Sequence, residues 1–366
     1  LYKGMNIFKT YQCSNCKSQN LLHLSSLLKC SDCKSEFKII DGIVDFRNLS
    51  NDKTAGFDLD KDYEIANFLF KIFYSVKYFN GLFFIYEKLN KLSRSDIINL
   101  NIKELLEEVR ENDLRLTNAQ SIHGYDIIKK INLFIQDFNL KNYEKEICLE
   151  NGCGLGFFVE GLSSEFSHVI ILDFSLSYLV LAKKICEEKK IRNVNYICAN
   201  TENLPIKNNV IDLVHSNNVI EHVSNQSKMV SEINRSLKNN GFLFLLSPNK
   251  NSAYPDPHFK LSFYGFIPFF IRKWIVFKWF KRDCREVSLL SLNELKKIFN
   301  LNFEGKYHFA FLPSKLKKTA NNTLIRKIIT YLINLPLLGS FFSFIINKLL
   351  IGIMPHHVVI SNKSKN

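Results

Sequence analysis

From residue 145 onward, short β-rich runs (EICLE, HVIILD, NVNYICA, VIDLVHS and GFLFLLS) alternate with helical segments, and no other feature narrows the possible folds as far. Strands that alternate with helices read as βαβ units built around a parallel sheet. Near the C-terminus MPHHVVISNK reads as a last strand, paired with the run NFEGKYHFAFLP that precedes it. At 366 residues and 46% hydrophobic, the chain has room for one such α/β domain and a small satellite. Three regions follow from the pattern: 1–50, turn-rich with paired cysteines; 51–140, with helical periodicity; and 141–366, the α/β domain. An apolar helical insertion is expected at about 314–353 within the last of these.

The run EICLENGCGLGFFVEGL places a glycine-rich turn between a strand and a helix. Gly152, Gly154 and Gly156 permit positive φ and a close backbone approach to a ligand, while free amides at the helix start favour a carboxylate or phosphate. Asp173 ends the next strand about twenty residues on, where the ribose diol lies in a nucleotide-binding first crossover.

At the other end of the chain, YQCSNCKSQNLLHLSSLLKCSDCKSEF sets Cys13 and Cys16, then Cys30 and Cys33, in two CxxC turns. Two such turns present four thiolates to one tetrahedral Zn2+, and a segment this small needs the ion's binding energy to fold. The other five of the nine cysteines are dispersed, which points to a reducing compartment rather than a disulfide framework. The opening LYKGMNIFKTYQC holds no long apolar run and no small-residue cleavage site, so a cytoplasmic protein is expected.

These motifs resemble a known family. ENGCGLG is similar to the E/D-x-G-C-G-x-G signature of class I S-adenosylmethionine (SAM) dependent methyltransferases. HVIILDFSLSYLVLAKK, YICANTENLPIKNNVIDLVHSNNVIEHV and INRSLKNNGFLFLLSPN resemble that family's later blocks, in its order. The resemblance implies a Rossmann-like seven-stranded sheet with SAM as cofactor. It assigns Glu150, Gly152, Gly154 and Gly156 to the methionine part, Asp173 to the ribose, Asn200 and Thr201 to the adenine end, and Asn217 to the neighbourhood of the methyl group. The segment after Cys33, FKIIDGIVDF, resembles the zinc ribbons that accompany many methyltransferases, which makes the zinc structural.

Methyl transfer from a sulfonium needs an oriented acceptor and, for a hydroxyl, a proton acceptor. No NPPY-like motif follows the fourth strand, so an oxygen acceptor is expected. Tyr254, Asp256 and His258, within SPNKNSAYPDPHFKLSFYGFIPFF, are candidates to meet that acceptor, and His222 is another. The stretch resembles a segment of methyltransferases associated with bacterial surface polysaccharides and lipid-linked glycans.

The net charge of +14 calls for an anionic partner or a solvated basic surface. Residues 328–347 are uncharged but broken by Pro336 and Gly339, which suits a hairpin better than a span. Segments 65–86 and 263–282 mix aromatic with basic residues, as interfacial elements do. The expectation is a methyltransferase acting on a lipid-linked or glycan hydroxyl, in peripheral contact with anionic membrane at the inner face of the cell membrane. Alternatives are a zinc-ribbon ribosomal RNA methyltransferase, a quinone or small-molecule methyltransferase, and a non-catalytic SAM-binding interaction module. The oligomeric state stays open.

Overall fold

Two near-identical hexapeptides, CSNCKS and CSDCKS, fold into the same turn. The amides of Cys13 and Cys30 donate to the carbonyls of Ser18 and Ser35, both at 2.8 Å, and those of Lys17 and Lys34 donate back to Cys13 and Cys30. Lys17 and Lys34 both take positive φ, which folds the chain after each pair back so that the carbonyls of Ser18 and Ser35 reach the amides of Cys13 and Cys30. Strands β1 (Leu21–Leu24), β2 (Leu27–Cys30) and β3 (Glu36–Ile40) form an antiparallel meander through the turns. Strand β4 (Ile43–Asp45) then follows β3 across Asp41-Gly42, both at positive φ, a short hairpin turn suited to the twist of its flanking strands. IIDGIVD is therefore a hairpin.

The computed structural model describes residues 7–47, 57–111, 118–137, 144–281, 283–285, 287–310, 331, 335 and 356–363. The expected insertion at 314–353, with its uncharged stretch 328–347, lies outside the described residues apart from 331 and 335. The chain forms two compact units, Leu1–Ile127 with Lys145–Ile211, and Ile128–Glu144 with Asp212–Asn366.

In the first unit, β5 (Ile147–Asn151), β6 (His168–Asp173) and β7 (Val194–Cys198) run parallel, joined through α6 (Val159–Glu165) and α7 (Leu176–Glu188). Their cores, such as Leu149, Ile170 and Ile197, are fully buried, as strands covered on both faces require. The strand order is β1-β2-β3-β4-β7-β6-β5, because β4 pairs in parallel with β7, Val44 opposite Ile197. The ribbon thus continues the sheet.

Helices α1 (Leu59–Ile72) and α2 (Phe79–Lys91) pack against α7, followed by α3 (Arg94–Ile98) and α4 (Ile102–Glu111). Segment 65–86, expected at a membrane interface, is core instead. Ile65, Phe68, Leu69, Ile72, Phe73, Phe79, Leu82 and Ile85 are all buried, and its lysines stand at the rim. The aromatic density fills the volume over α7 rather than facing lipid.

In the second unit the strand order is β8 (Ile211–Asn217), β9 (Leu237–Pro248), β11 (His356–Asn362), β10 (Lys306–Ala310). The expected closing pair is present. β10 and β11 are antiparallel with His308 opposite Ile360, and β11 pairs with β9 with Val359 opposite Leu245. Helices α8 (Gln226–Ser236) and α10 (Leu292–Asn302) pack together, α10 opening on a capping box of Ser291 and Glu294. Helix α5 (Asn118–Asp137) crosses from one unit's residues to the other's, and α9 (Phe269–Phe280) completes the second unit. The α/β class is as expected; the described strands number eleven rather than seven, the ribbon supplying the additional four.

Candidate functional site

Strand β5 ends in Asn151, and the amides of Gly152 and Cys153 both donate to the carbonyl of Leu172 on β6, at 2.8 and 2.9 Å, so the turn starts anchored. Gly152, Gly154 and Gly156 all have positive φ. At Gly154 (φ +49°) an added Cβ would meet nothing within 4 Å, so the backbone borders open space. At Gly156 (φ +80°) it would lie 2.8 Å from Cβ and 3.0 Å from Cα of Ala182 on α7, so no side chain fits. One glycine leaves room for a ligand, and the other lets a helix close behind the loop.

Asp173, at the end of β6, accepts from the amides of Gly154 (2.8 Å) and Ser175 (2.9 Å). Burial pushes its carboxyl up to about 6, those amides pull it back, and nearby Asp62 pushes the same way as burial. Glu150 is buried on β5. Asn200 caps a short helical turn, its side-chain oxygen accepting from Glu202 N at 2.8 Å, so the group expected to face adenine already serves the loop. Thr201 donates its hydroxyl to Asn151 Oδ1 at 2.7 Å, tying this loop to the end of β5.

A buried ion pair that sequence reasoning did not single out holds this end of the sheet. The Arg47 side chain, with 0% exposure, grips Asp45 through Nε (2.9 Å) and Nη2 (2.8 Å), and reaches Asp62 (3.2 Å) and the Phe174 carbonyl (3.1 Å) through Nη1. Asp62, from α1, accepts in addition from the hydroxyls of Ser175 and Ser177 and the amides of Leu176 and Ser177, capping α7 from another helix.

The ribbon rests on the loop after β7. Lys207 N donates to Thr10 O (2.8 Å), Gln12 N to Pro205 O (3.0 Å) and Asn203 Nδ2 to Ser14 O (2.9 Å). Its four sulfurs converge, with Cys13 Sγ 3.5 Å from Cys33 Sγ and Cys16 Sγ 3.6 Å from Cys30 Sγ. A tetrahedral Zn2+ with bonds of about 2.3 Å sets its sulfurs about 3.8 Å apart, so the residues present fit that ion.

The second unit carries the remaining candidates. Asn217 ends β8 with its side-chain oxygen buried and without a hydrogen-bond partner among the described residues. The chain then turns tightly through Asn218, at positive φ, and His222 N donates to Val219 O at 2.9 Å. Tyr254 is exposed. Asp256 is buried and spends its carboxylate on the amides of His258 (2.8 Å), Phe259 (2.8 Å) and Leu261 (3.1 Å), which makes it the organiser of a turn. That turn brings His258 against His222, ring centroids 5.0 Å apart and planes at 80°, with His258 Nε2 3.6 Å from Glu221 Oε1. Glu221 was not singled out in the sequence, and its adjacency to His222 was the available signal.

Residues 149–245 match the methyltransferase domain family. The chain is 39% identical over 133 residues to an uncharacterised protein of Methanocaldococcus jannaschii, covering 36% of this chain and 53% of that one. It is 29% identical over 123 residues to the ubiquinone biosynthesis O-methyltransferase of Coxiella burnetii, covering 32% and 52%. The chain thus spans about half the length of these curated relatives. Among solved structures, the phosphoethanolamine N-methyltransferase 2 of Haemonchus contortus in complex with S-adenosyl-L-methionine shares 18% identity, covering 65% of this chain and 52% of that one, with a TM-score of 0.41. The matched methyltransferase domain begins on β5 and ends on β9, so it takes in the glycine turn, Asp173, Asn217, Glu221 and His222.

Proposed function

We propose that this protein transfers a methyl group from SAM to a hydroxyl of a lipid-linked or surface-glycan acceptor, working against anionic membrane from its cytoplasmic side. The observation that carries the donor half is the open backbone cradle at Gly154 beside the half-buried carboxylate of Asp173. SAM supplies the chemistry through its sulfonium, which makes the methyl carbon electrophilic and leaves as a neutral thioether. The chain's residues then have to bind, orient and deprotonate. Asp173 accepts from the ribose hydroxyls once ionised; the loop amides and Glu150 hold the methionine part; the Asn200–Thr201 loop borders the adenine. Tyr254, His222 and His258 receive the acceptor, and Asp256 positions His258 through its turn. Cys13, Cys16, Cys30 and Cys33 hold a structural Zn2+ with no position left for chemistry.

Helix α9 supports the membrane half. Of its twelve residues only Val276 is buried, while Phe270, Trp274, Phe277 and Trp279 are each more than half exposed, interspersed with Arg272, Lys273 and Lys278. Each such ring offers roughly 100 Å² of apolar surface, or about 2.5 kcal/mol on transfer out of water. The helix is tied down at its base, where Val276 joins Phe259, Tyr264, Cys284, Val287 and Leu289 in one buried cluster.

The likeness to the ubiquinone biosynthesis enzyme favours a second reading, in which the acceptor is a phenolic hydroxyl of a quinone precursor. One experiment addresses both. The full chain is incubated with methyl-labelled SAM and vesicles containing an anionic lipid, supplemented with either a lipid-linked glycan extract or a quinone precursor. Label in the glycan lipid, together with flotation of the protein at low salt, is the expected result. Label in the quinone alone transfers the assignment to the second reading, and no label with either acceptor overturns both.

A further inference from the structure

We propose that Glu221, His222 and His258 form a binding site for a divalent transition-metal ion, separate from the four-cysteine ribbon. All three lie in the second unit, and their ligand atoms fall within 4.8 Å of one another. Two imidazoles and one carboxylate are a donor set that takes Zn2+ or Fe2+, leaving positions open for further oxygen ligands. At metal–ligand distances of about 2.1 Å, tetrahedral donors stand about 3.4 Å apart. The Glu221–His258 separation of 3.6 Å already matches that bite, and a small closure of His222 completes the set.

A second observation points to a cation. The Glu221 side chain has 0% exposure, and neither of its carboxylate oxygens has a hydrogen-bond partner among the described residues. The Nε2 of His258 is buried in the same way, aimed at that carboxylate but too far from it for a hydrogen bond. Buried carboxylates are ordinarily paired, hydrogen-bonded or bound to a metal. His222, by contrast, is exposed, which gives an ion a path in.

The backbone around the ligands is pinned. Glu221 O accepts from Ser288 N at 2.7 Å, and Gln226 bridges Ile220 O (3.2 Å) and Ser288 O (2.9 Å) through its side-chain amide. On the other side Asp256 fixes the turn that carries His258, and Phe259, the next residue, is locked into the cluster under α9, stacked on Tyr264 at 5.5 Å. Ligands supported in this way keep their geometry without the ion.

The role of the ion rests on the proposed function. Bound to an acceptor hydroxyl, it lowers the pKa of that oxygen so that the proton leaves to water near neutral pH, and the oxygen's electron pair then forms the bond to the methyl carbon as the carbon–sulfur bond breaks. The two histidines serve as ligands in this account and the ion does the acidifying.

The test counts metal per chain by elemental analysis of the full-length protein loaded with Zn2+ and freed of excess. A thiol-specific mercurial then releases thiolate-bound zinc into a metallochromic dye. The expected result is two equivalents, one freed by the mercurial and one retained, with the retained equivalent lost in both Glu221→Gln and His258→Gln. Far-UV circular dichroism spectra that match the parent's, with melting temperatures within about 2 °C of it, show that both variants are folded, and SAM uptake is measured separately by calorimetry. A single equivalent released entirely by the mercurial overturns the site, and so does a retained equivalent that survives both substitutions; either result leaves a direct His258–Glu221 contact as the account of the pair. A retained equivalent that behaves as expected in a protein that takes up no SAM upholds the site and removes the proposed function instead.

Discussion

Replacing Asp62 by alanine tests whether the buried cluster at the ribbon–helix junction holds the donor-side fold together. The substitution strips Arg47 of its contact at 3.2 Å and leaves the amides of Leu176 (2.8 Å) and Ser177 (3.2 Å) and two serine hydroxyls without their acceptor. Removing one partner of a buried ion pair costs about 3–5 kcal/mol, and Asp45, still bidentate on Arg47, keeps the charge term at the lower end. Loss of a helix N-cap adds about 1 kcal/mol. The total of about 4 kcal/mol, at roughly 2–4 °C per kcal/mol for a unit of this size, lowers the melting temperature by about 10 °C. The assay is thermal unfolding of the full chain followed by circular dichroism, with Asp62→Asn, which keeps one acceptor oxygen, expected to fall between parent and alanine variant. A drop below about 2 °C for Asp62→Ala, on the same scale, would show that solvent or Asp45 compensates fully and that the cluster carries little of the stability.

Two further outcomes follow from the glycine turn and Asp173. Gly156→Ala forces a Cβ to within 2.8 Å of the Ala182 side chain at φ +80°, so SAM affinity should fall at least about tenfold by calorimetry, while Gly154→Ala, with open space around its Cβ, meets only about 1–2 kcal/mol of backbone strain in the folded protein; equal melting temperatures for the two would refute the packing argument. Because the Asp173 carboxyl is raised to about 6, SAM binding should weaken as pH drops below 6 and level off above it, and a flat profile between pH 5 and 7 would count against Asp173 as the ribose ligand. The same shift means that this group's contribution to folding is present below its ordinary range near 4 and is lost as pH rises through about 6.

Much of the sheet was legible because its signals are local. The apolar runs around Leu149, Ile170, Ile197, Leu213 and Leu245 each became a strand, and the glycine turn took the positive φ angles its spacing called for. What stayed hidden depends on distant partners. Nothing within residues 38–46 announces that Val44 will pair beside Ile197, since register between strands 150 residues apart in sequence is set by the whole fold. Segment 65–86 misled for a related reason: phenylalanines suit a lipid surface and a protein core equally, and only the presence of α7 beneath them decides. Arg47, Asp62 and Glu221 were passed over because a charged residue in sequence reads as surface until its burial is known. Asp256 shows the converse, a residue chosen for its chemistry whose carboxylate is already occupied by three amides.

The pairing of β4 with β7 makes the four-cysteine segment a cover for the edge of the sheet. A fragment beginning after residue 47 would bare the outer rim of β7, a row of unsatisfied amides and carbonyls on an apolar parallel strand, the kind of edge that recruits strands from other molecules. Shortened versions that keep the whole glycine turn would therefore be prone to precipitate, and the two cysteine turns guard solubility as much as shape.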